Sequence, residues 1–437
     1  MPRFQTLPGF RDFYPEDCAS RNFIFDRCRR TAEAFGFEEY DSPIVEPVEL
    51  FTAKSGDGIV SQLFNFEDKG GRKISLRPEL TPSLARMVGS KASSMRKPIK
   101  WFSIGEQFRY ERPQKGRLRS FYQFNADVFG VSEIGADAEI IALAVQTLRN
   151  FGLGKDDFHV RLSDRGMWVL LLGAFGLDGD GMRAILEVVD RIDGDGEEKS
   201  MEAIGEICPS NCERIFGEIK KLRGARSPWE FREQCGVPMD SDDFSRVAQN
   251  FQALLDRIGA LGLSDFVTVD FGIVRGLAYY TGLVFEIFER SGQSRALAGG
   301  GRYDNLVKKL GYADLPAVGF ALGDVTLGNL LMEKNLLPKF SKSTRCFVVY
   351  TEKMEAVAMG QAMRFRENGI GVEYDLSGET LSKQLSLASR SGAECAAIFG
   401  ENEVGAGCVK LKNMASGDEK LVKIADLMEE FLKNGRK

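Results

Sequence analysis

FSIGEQFRYERPQKGRLRSFYQFNADVFG, residues 102–130, is the stretch that decides the fold of this chain. Two runs of alternating apolar and polar residues flank a basic segment that Pro113 and Gly116 interrupt. Such runs across a turn predict an antiparallel hairpin with one Phe-rich face that can be buried. The other face is predicted to carry Glu106, Arg109, Glu111, Gln123 and Asp127. Arginine presents a planar fork that matches phosphate, so this face suits an anion, although a solvated face with a charged turn is commoner among hairpins.

The residue order of this hairpin resembles motif 2 of class II aminoacyl-tRNA synthetases, in the form found in the histidyl-tRNA synthetase family. In that family the hairpin binds ATP and its loop touches the acceptor end of the tRNA. The resemblance implies ATP contacts from Arg109, Glu111, Arg119, Gln123 and, further along the chain, Arg275. It also implies that Gln114 and Arg117 in the basic loop contact tRNA, which the loop's charge would favour.

A second cluster reads GIVRGLAYYTG at residues 272–282 and resembles the family's Arg-Gly-Leu-Asp-Tyr-Tyr signature. An arginine can neutralise the charge that builds on an α-phosphate under attack. The resemblance therefore implies Arg275 and Arg109 as the catalytic pair. It also implies that Tyr280 and Asp127 bracket the imidazole of the substrate histidine, since a carboxylate that accepts an imidazole N–H fixes its tautomer.

Two further stretches complete the implied histidine site. RPELT, residues 77–81, resembles the segment that receives the substrate's amino group, and a carboxylate suits an ammonium. Capping of the following helix by Thr81 or Glu79 is the structural alternative. AGGGRYDN, residues 298–305, resembles the Gly-rich floor of the pocket. The implied histidine site comprises Glu79, Thr81, Gln123, Asp127, Tyr279, Tyr280, Gly299 and Gly300.

The sequence departs from the family pattern at three positions. Motif 3 ends Gly-Leu-Glu-Arg-Leu in the family, and its Arg clamps the ATP phosphates, whereas this chain has the uncharged Thr326 there. Ala278 replaces the signature Asp, and Asp127 replaces a Glu that is one methylene longer. These changes fit an active branch in which another basic residue replaces the Arg, or a paralogue that has lost aminoacylation. The retained arginines favour activity.

Composition and charge narrow the class of protein. The chain has 437 residues and a formal charge of −5, which argues against nonspecific coating of nucleic acid and allows only local basic patches. No apolar run is long enough to span a bilayer, and the N-terminal residues lack the apolar core of a signal peptide. We therefore expect a cytoplasmic protein that makes no membrane contact.

Metal-ligating residues are few. Cys208, Cys212 and Cys235 could hold zinc, but no paired CxxC exists and the single histidine, His159, offers no convincing fourth ligand. We therefore expect no metal site built from protein side chains. His159 lies in an apolar segment and is predicted to be a strand residue rather than a catalyst.

The domain prediction follows the motifs along the chain. The fold class is α+β, with a class II synthetase antiparallel sheet and flanking helices, a helical insertion, and a C-terminal α/β domain of the anticodon-binding type. Strand–helix alternation in the tail predicts a parallel sheet. Residues 1–176 and 262–336 are predicted to form the two parts of the catalytic domain, 177–261 the insertion, and 345–437 the anticodon-binding domain.

The resemblance implies the function in detail. It predicts ATP-dependent ligation of L-histidine to tRNA(His) through a histidyl-adenylate, with Mg²⁺, by a homodimer whose interface motif 1 builds. The insertion would grip the acceptor arm of the tRNA. The main alternative is a catalytically silent regulatory subunit that binds histidine. A plain tRNA-binding module is a third possibility, and it would not need a histidine pocket.

Overall fold

The computed structural model describes residues 4–55, 57–114, 116–239, 241–276, 279–291, 295–339 and 344–434. Ala278, which replaces the signature Asp, and residues 340–343 of the predicted linker at 337–344 lie outside these residues. The chain forms two compact units, Met1–Pro338 and Lys339–Lys437. The finer division into four domain segments stays a prediction.

The strands of the first unit form two sheets. They are β1 (Glu38–Glu39), β2 (Val45–Pro47), β3 (Phe64–Glu67), β4 (Lys73–Leu76), β5 (Ile99–Phe108), β6 (Ser120–Phe129), β7 (Phe158–Asp164), β8 (Val267–Val269), β9 (Leu283–Glu289), β10 (Ala298–Arg302) and β11 (Ala317–Gly323). The larger sheet has the order β1-β5-β6-β11-β10-β9-β7-β8, and the smaller has the order β2-β4-β3. The predicted antiparallel sheet is confirmed, with parallel pairs only at the two edges, β1 with β5 and β7 with β8.

The helices of the first unit pack on the large sheet or form a separate helical layer. They are α1 (Pro15–Ala34), α2 (Val48–Ser55), α3 (Thr81–Lys91), α4 (Gly135–Arg149), α5 (Arg165–Ala174), α6 (Gly179–Asp195), α7 (Glu197–Ile207), α8 (Cys212–Leu222), α9 (Pro228–Gln234), α10 (Ser241–Ala260), α11 (Leu306–Lys309) and α12 (Asp324–Glu333). Leu80 stands at the N-cap of α3 without a side-chain cap, so the capping alternative for Thr81 and Glu79 is wrong.

The predicted hairpin is β5 and β6, paired from Ile99↔Phe129 to Phe108↔Ser120. Alternate residues face opposite sides of a strand, and residues directly paired across strands share a face. Phe124 packs edge-on against Phe102 in the core beneath the sheet. Burial of each such ring stabilises the fold by roughly 2–3 kcal/mol.

One residue of the hairpin lies on the other face from the one predicted. Glu106 pairs directly with Tyr122, so it lies on the core side of the sheet, where it accepts a hydrogen bond from Ser120 Oγ. Gln123 and Asp127 line the opposite side. Strand parity explains the correction, because Glu106 is an even number of residues from the buried Phe102.

The helical layer lies between β7 and β8 in sequence. Its core surrounds Trp168, whose ring meets Phe231 at 5.3 Å between centroids and whose Nε1 donates to the Phe271 carbonyl over 3.0 Å. Amphipathic spacing explains this packing, because α8 buries Ile215, Phe216, Ile219 and Leu222 along one stripe. The core of the layer extends from Met167 to Val274, beyond the predicted insertion at both ends.

The second unit is a five-stranded sheet with helices, in the order β13-β12-β14-β15-β16. Its elements are β12 (Cys346–Tyr350), α13 (Glu355–Glu367), β13 (Val372–Tyr374), α14 (Leu381–Ser391), β14 (Cys395–Phe399), α15 (Glu401–Gly405), β15 (Cys408–Asn413), β16 (Glu419–Lys423) and α16 (Leu427–Asn434). The predicted parallel pairing is confirmed for β12, β13 and β14, and two strands that were not predicted, β15 and β16, extend the sheet. β12 pairs in parallel with β13 and β14, but the connections that follow are too short for a crossover, so β15 and β16 pair antiparallel.

Two expectations from composition concern absences. Among the described residues, no helix is long and apolar enough to cross a membrane. The part of the chain that the structure describes also contains no group of three His, Cys, Asp or Glu arranged as metal ligands. Cys208, Cys212 and Cys235 are free thiols, and Cys235 Sγ donates to the Val237 carbonyl over 3.3 Å.

Candidate active site

A cleft of about 800 Å³ opens on the side of the large sheet away from the Phe124 core. Strands β6, β10 and β11 form its floor, and segments that follow β4 and β8 form its walls. The structure brings most of the predicted site residues into its lining. They are Glu79, Thr81, Arg109, Glu111, Arg117, Gln123, Asp127, Arg275, Tyr279, Tyr280 and Gly299.

Three predicted residues do not line this cleft. A β-carbon on Gly300 would meet Phe320, which belongs to the core beneath the sheet, so position 300 faces away from the cleft. Arg119 turns back, where its Nε donates to the Glu111 carbonyl over 3.1 Å. Gln114 lies at the cleft mouth and accepts a hydrogen bond from Arg295.

Arg275 is held over the cleft by a strained backbone and an acid. Its φ is +52°, in the left-handed region that non-glycine residues rarely adopt. Its Nη1 donates to Glu286 Oε1 over 2.9 Å. Burial alone would lower the pKa of the guanidinium, but nearby acids, Tyr280 and Glu286 foremost, raise it, so the charge is retained. Its Nε is buried and has no hydrogen-bond partner among the described residues, which is consistent with a site that binds an anion.

Arg109 is a second, partly buried cation of the cleft. Its Nε donates to the Pro78 carbonyl over 3.0 Å, and its guanidinium lies 5.3 Å from the centre of the Phe121 ring. Burial lowers the pKa of Arg109, and the charge of Glu79 opposes that shift. Arginine stays protonated at neutral pH even so, and Arg109 therefore adds a fixed positive charge.

An acidic end of the cleft lies near the turn before α3. Glu79 is buried, and its Oε2 accepts a hydrogen bond from Tyr279 over 3.3 Å. The Tyr279 and Tyr280 rings lie 4.7 Å apart, which stiffens this wall. Burial raises the pKa of Tyr279 well above its usual value, so its hydroxyl stays a donor. A buried carboxylate in this position suits a cationic group of a ligand.

Asp127 forms a second acidic point on the floor. It is only 3% exposed, and its Oδ1 accepts a hydrogen bond from the Tyr303 hydroxyl over 2.5 Å. A β-carbon on Gly319 would overlap this carboxylate, so the glycine on the neighbouring strand makes room for it. These two arginines and two carboxylates of the cleft are each held by the backbone or by a neighbouring side chain.

The comparisons with known proteins agree with this geometry. A family model for histidyl-tRNA synthetase matches residues 9–326, and one for an anticodon binding domain matches residues 340–434. The chain belongs to the histidyl-tRNA synthetase family. A histidine–tRNA ligase of Opitutus terrae is 48% identical over 96% of both chains, and one of Haloarcula marismortui is 39% identical over 95% of both. The crystal structure of histidyl-tRNA synthetase from Nostoc sp. PCC 7120 shares the fold, with a TM-score of 0.77 and 22% identity over 99% of this chain and 100% of that one.

Arg302, the arginine of the Gly-rich stretch, has a structural role in this member of the histidyl-tRNA synthetase family. Arg302 is buried and donates to both carboxylate oxygens of Asp137. It also donates to the Val131 carbonyl over 3.0 Å and to Asp304 over 3.1 Å. These bonds tie β10 to α4.

Sequence reasoning missed several residues of the cleft. Glu286 lies in the middle of the apolar strand β9, and an acidic residue between apolar neighbours could have indicated a functional position. Asp190 reaches the cleft from α6 in the helical layer, where it lies beside Gly276 and Arg275. Arg295 lines the mouth from the connection between β9 and β10, where no motif pointed to it.

Proposed function

We propose that this chain is a histidine–tRNA ligase that joins L-histidine to tRNA(His) at the expense of ATP. The proposal rests on one observation. Arg109, Arg275, Glu79 and Asp127 line a single cleft on the large sheet of a histidyl-tRNA synthetase fold. The arginines suit the phosphates of ATP, and the carboxylates suit the amino group and the imidazole of histidine. The names of the relatives from Opitutus terrae and Haloarcula marismortui support the same activity.

The first step needs charge and position rather than a protein nucleophile. A carboxylate oxygen of histidine attacks the α-phosphorus of ATP, the bond from that phosphorus to the bridging oxygen breaks, and pyrophosphate leaves with the electron pair. Histidyl-adenylate remains. Arg275 and Arg109 neutralise the charge that develops at the α-phosphate, and the buried, unpartnered Nε of Arg275 supplies a further donor there. Holding the two substrates together lowers the barrier further.

Histidine recognition uses the two acidic points. Glu79 and Thr81 receive the ammonium group, and Asp127 accepts an imidazole N–H while Tyr280 flanks the ring. The Tyr303 hydroxyl holds the Asp127 carboxylate in place, so the acceptor is oriented before the substrate arrives. A hydrogen bond to one imidazole nitrogen also selects the tautomer of the ring.

Magnesium fits this donor set as a companion of ATP. Mg²⁺ is held in nucleotide sites by one or two carboxylates together with substrate phosphates. Glu111, in the cleft lining beside Arg117, offers such a carboxylate. When bound, Mg²⁺ would offset part of the negative charge of the triphosphate. The ordered arginines of the cleft supply the rest.

Transfer to tRNA completes the reaction. A hydroxyl of the terminal ribose attacks the acyl carbon of histidyl-adenylate, and AMP leaves. Gln114 and Arg117, at the cleft mouth, are suited to contact the acceptor end, and the match of residues 340–434 to an anticodon binding domain suits contacts at the other end. We further propose that the helical layer grips the acceptor arm and that the active form is a cytoplasmic homodimer.

The deciding experiment is histidine-dependent exchange of labelled pyrophosphate into ATP, with the other amino acids as controls. Exchange with histidine alone, followed by histidine attachment to tRNA(His), is the expected result. Arg275→Ala should reduce exchange at least about 100-fold while circular dichroism stays unchanged, because it removes the charge at the α-phosphate. Exchange at the wild-type rate in this variant would remove Arg275 from its role.

The regulatory alternative predicts a different outcome. A silent regulatory subunit would bind histidine in calorimetry and show no exchange with any amino acid. A plain tRNA-binding module would retain tRNA without binding histidine. The comparisons give no support to the regulatory alternative.

A further inference from the structure

A further arginine, Arg295, lines the cleft from the segment just before β10. Arg295 stands three residues before β10 and lines the cleft together with Arg117 and Thr326. A β-carbon on Gly116 would lie 3.6 Å from Thr326 Cγ2 and 3.9 Å from Arg295 Cδ. The side chains of Thr326 and Arg295 therefore converge on one point at the mouth.

The arginines around the cleft differ in whether a carboxylate neutralises their charge. Arg275 pairs with Glu286, and Arg117 pairs with Glu111. Arg295 donates instead to the side-chain carbonyl of Gln114 over 3.0 Å, and it makes no ion pair with any residue that the structure describes. A neutral amide can orient a guanidinium, but it does not cancel the charge. Arg295 is therefore a positioned, uncompensated cation.

Mutual repulsion among the arginines points to the kind of ligand. Burial lowers the pKa of Arg117, and repulsion from the positive charges of Arg295 and Arg109 lowers it further. Like charges gathered on one cleft cost free energy until an anion binds among them. A ligand with several negative charges would relieve more of that repulsion than a single carboxylate.

We propose that Arg295 binds the triphosphate of ATP and supplies the cation that this chain lacks at Thr326. The inference rests on the proposed ligase activity and deepens it. The short side chain of Thr326 leaves room at the cleft mouth, and the side chain of Arg295 lies near the same point. In this proposal the charge comes from the segment before β10 instead of from helix α12.

The test separates ATP from histidine. In histidine-dependent pyrophosphate exchange, Arg295→Ala should raise the KM for ATP about 10- to 100-fold, the size expected for a lost charge-assisted contact. The KM for histidine should stay within about twofold, since the triphosphate belongs to ATP and not to histidine. Arg290→Ala is the matched control, because Arg290 lies on the same connection and donates to the Lys155 carbonyl over 2.7 Å.

A rescue experiment makes the assignment specific. The double variant Arg295→Ala with Thr326→Arg returns the charge to the motif 3 position, and it should recover most of the lost ATP affinity. Unchanged ATP kinetics in Arg295→Ala would overturn the proposal. It would also be overturned by normal exchange combined with slower transfer to tRNA, since that pattern assigns Arg295 to the nucleic acid. Wild-type exchange, measured in parallel, tests the ligase activity independently.

Discussion

The guanidinium of Arg275 occupies the place where a side chain of residue 299 would begin. A β-carbon on Gly299 would overlap Arg275 Nη1, the same nitrogen that donates to Glu286. Because Gly299 has no side chain, it leaves the space that the Arg275 guanidinium occupies. The arginine motif and the Gly-rich stretch, although separated in sequence, form a single interlocking unit.

Gly299→Ala tests this relationship. The added methyl group should displace Arg275 and slow histidine-dependent pyrophosphate exchange at least about 100-fold, since it misplaces a stabilising charge. Gly217→Ala, at an exposed helical glycine with nothing within 4 Å, is the matched control and should be neutral or slightly stabilising. Normal exchange in Gly299→Ala would mean that Arg275 acts from another position.

Asp127 and Tyr303 should act together on histidine binding. Asp127→Ala should raise the KM for histidine about tenfold or more and leave the KM for ATP nearly unchanged, since only histidine has an imidazole to donate. Tyr303→Phe removes the hydroxyl that holds the carboxylate, and it should give a smaller change in the same direction. Equal losses of histidine and ATP affinity in Asp127→Ala would mean that this carboxylate does not face the imidazole.

Arg302 should matter for stability more than for chemistry. Arg302→Ala leaves the buried Asp137 without its partner, which should lower the free energy of unfolding by about 3–5 kcal/mol. Arg29→Ala breaks an ion pair with Glu39 in which both side chains are a third or more exposed, and it should cost at most about 1 kcal/mol. Thermal denaturation of the two variants provides the comparison. Similar melting temperatures would show that the Arg302 pair contributes little.

The carboxyl of Asp164 should make stability depend on pH. Burial raises the pKa of Asp164 to about 7, from a usual value of 3.8. The folded state therefore favours the neutral acid, and this contribution to stability is present below about pH 4 and is lost as the pH rises through 7. Asp164→Asn keeps an acceptor for the Gly166 N–H at the start of α5, so its melting temperature should rise relative to wild type between pH 5 and pH 8.

The control for Asp164 is another helix cap. Asp178 accepts a hydrogen bond from the Gly181 N–H at the start of α6, at an exposed position. Asp178→Asn makes the same chemical change away from the buried site. A difference between Asp164→Asn and wild type that stays constant from pH 5 to pH 8 would contradict the assignment of this titration to Asp164.

The hairpin and the Arg275 motif were readable from sequence because their signals are local. A period of two over ten residues predicts a strand, and the order of residues around Arg275 is specific to one family. The same period also placed Glu106 on the core side, and grouping it with Arg109 overlooked that parity. The strands β15 and β16 were missed because each is short and contains few apolar residues among its lysines.

The rest of the site depends on contacts that sequence alone does not display. Asp190 and Arg275 are 85 positions apart and meet only because α6 packs beside the segment that follows β8. Arg295 lies in no motif, and its importance depends on the placement of residues 295–297 along the cleft. Register and tertiary packing decide such meetings, and neither can be deduced from the periodicity of one segment.

Helix α10 makes the helical layer difficult to remove by truncation. Its first half buries Phe244 and Ala248 in the core of that layer, and its second half buries Phe251, Leu254 and Ile258 in the core of the large sheet. Deleting residues 177–261 would strip the last three from beneath the catalytic sheet, and each represents roughly 2–3 kcal/mol of burial. A truncated variant without the helical layer would need other apolar side chains in that space in order to fold stably.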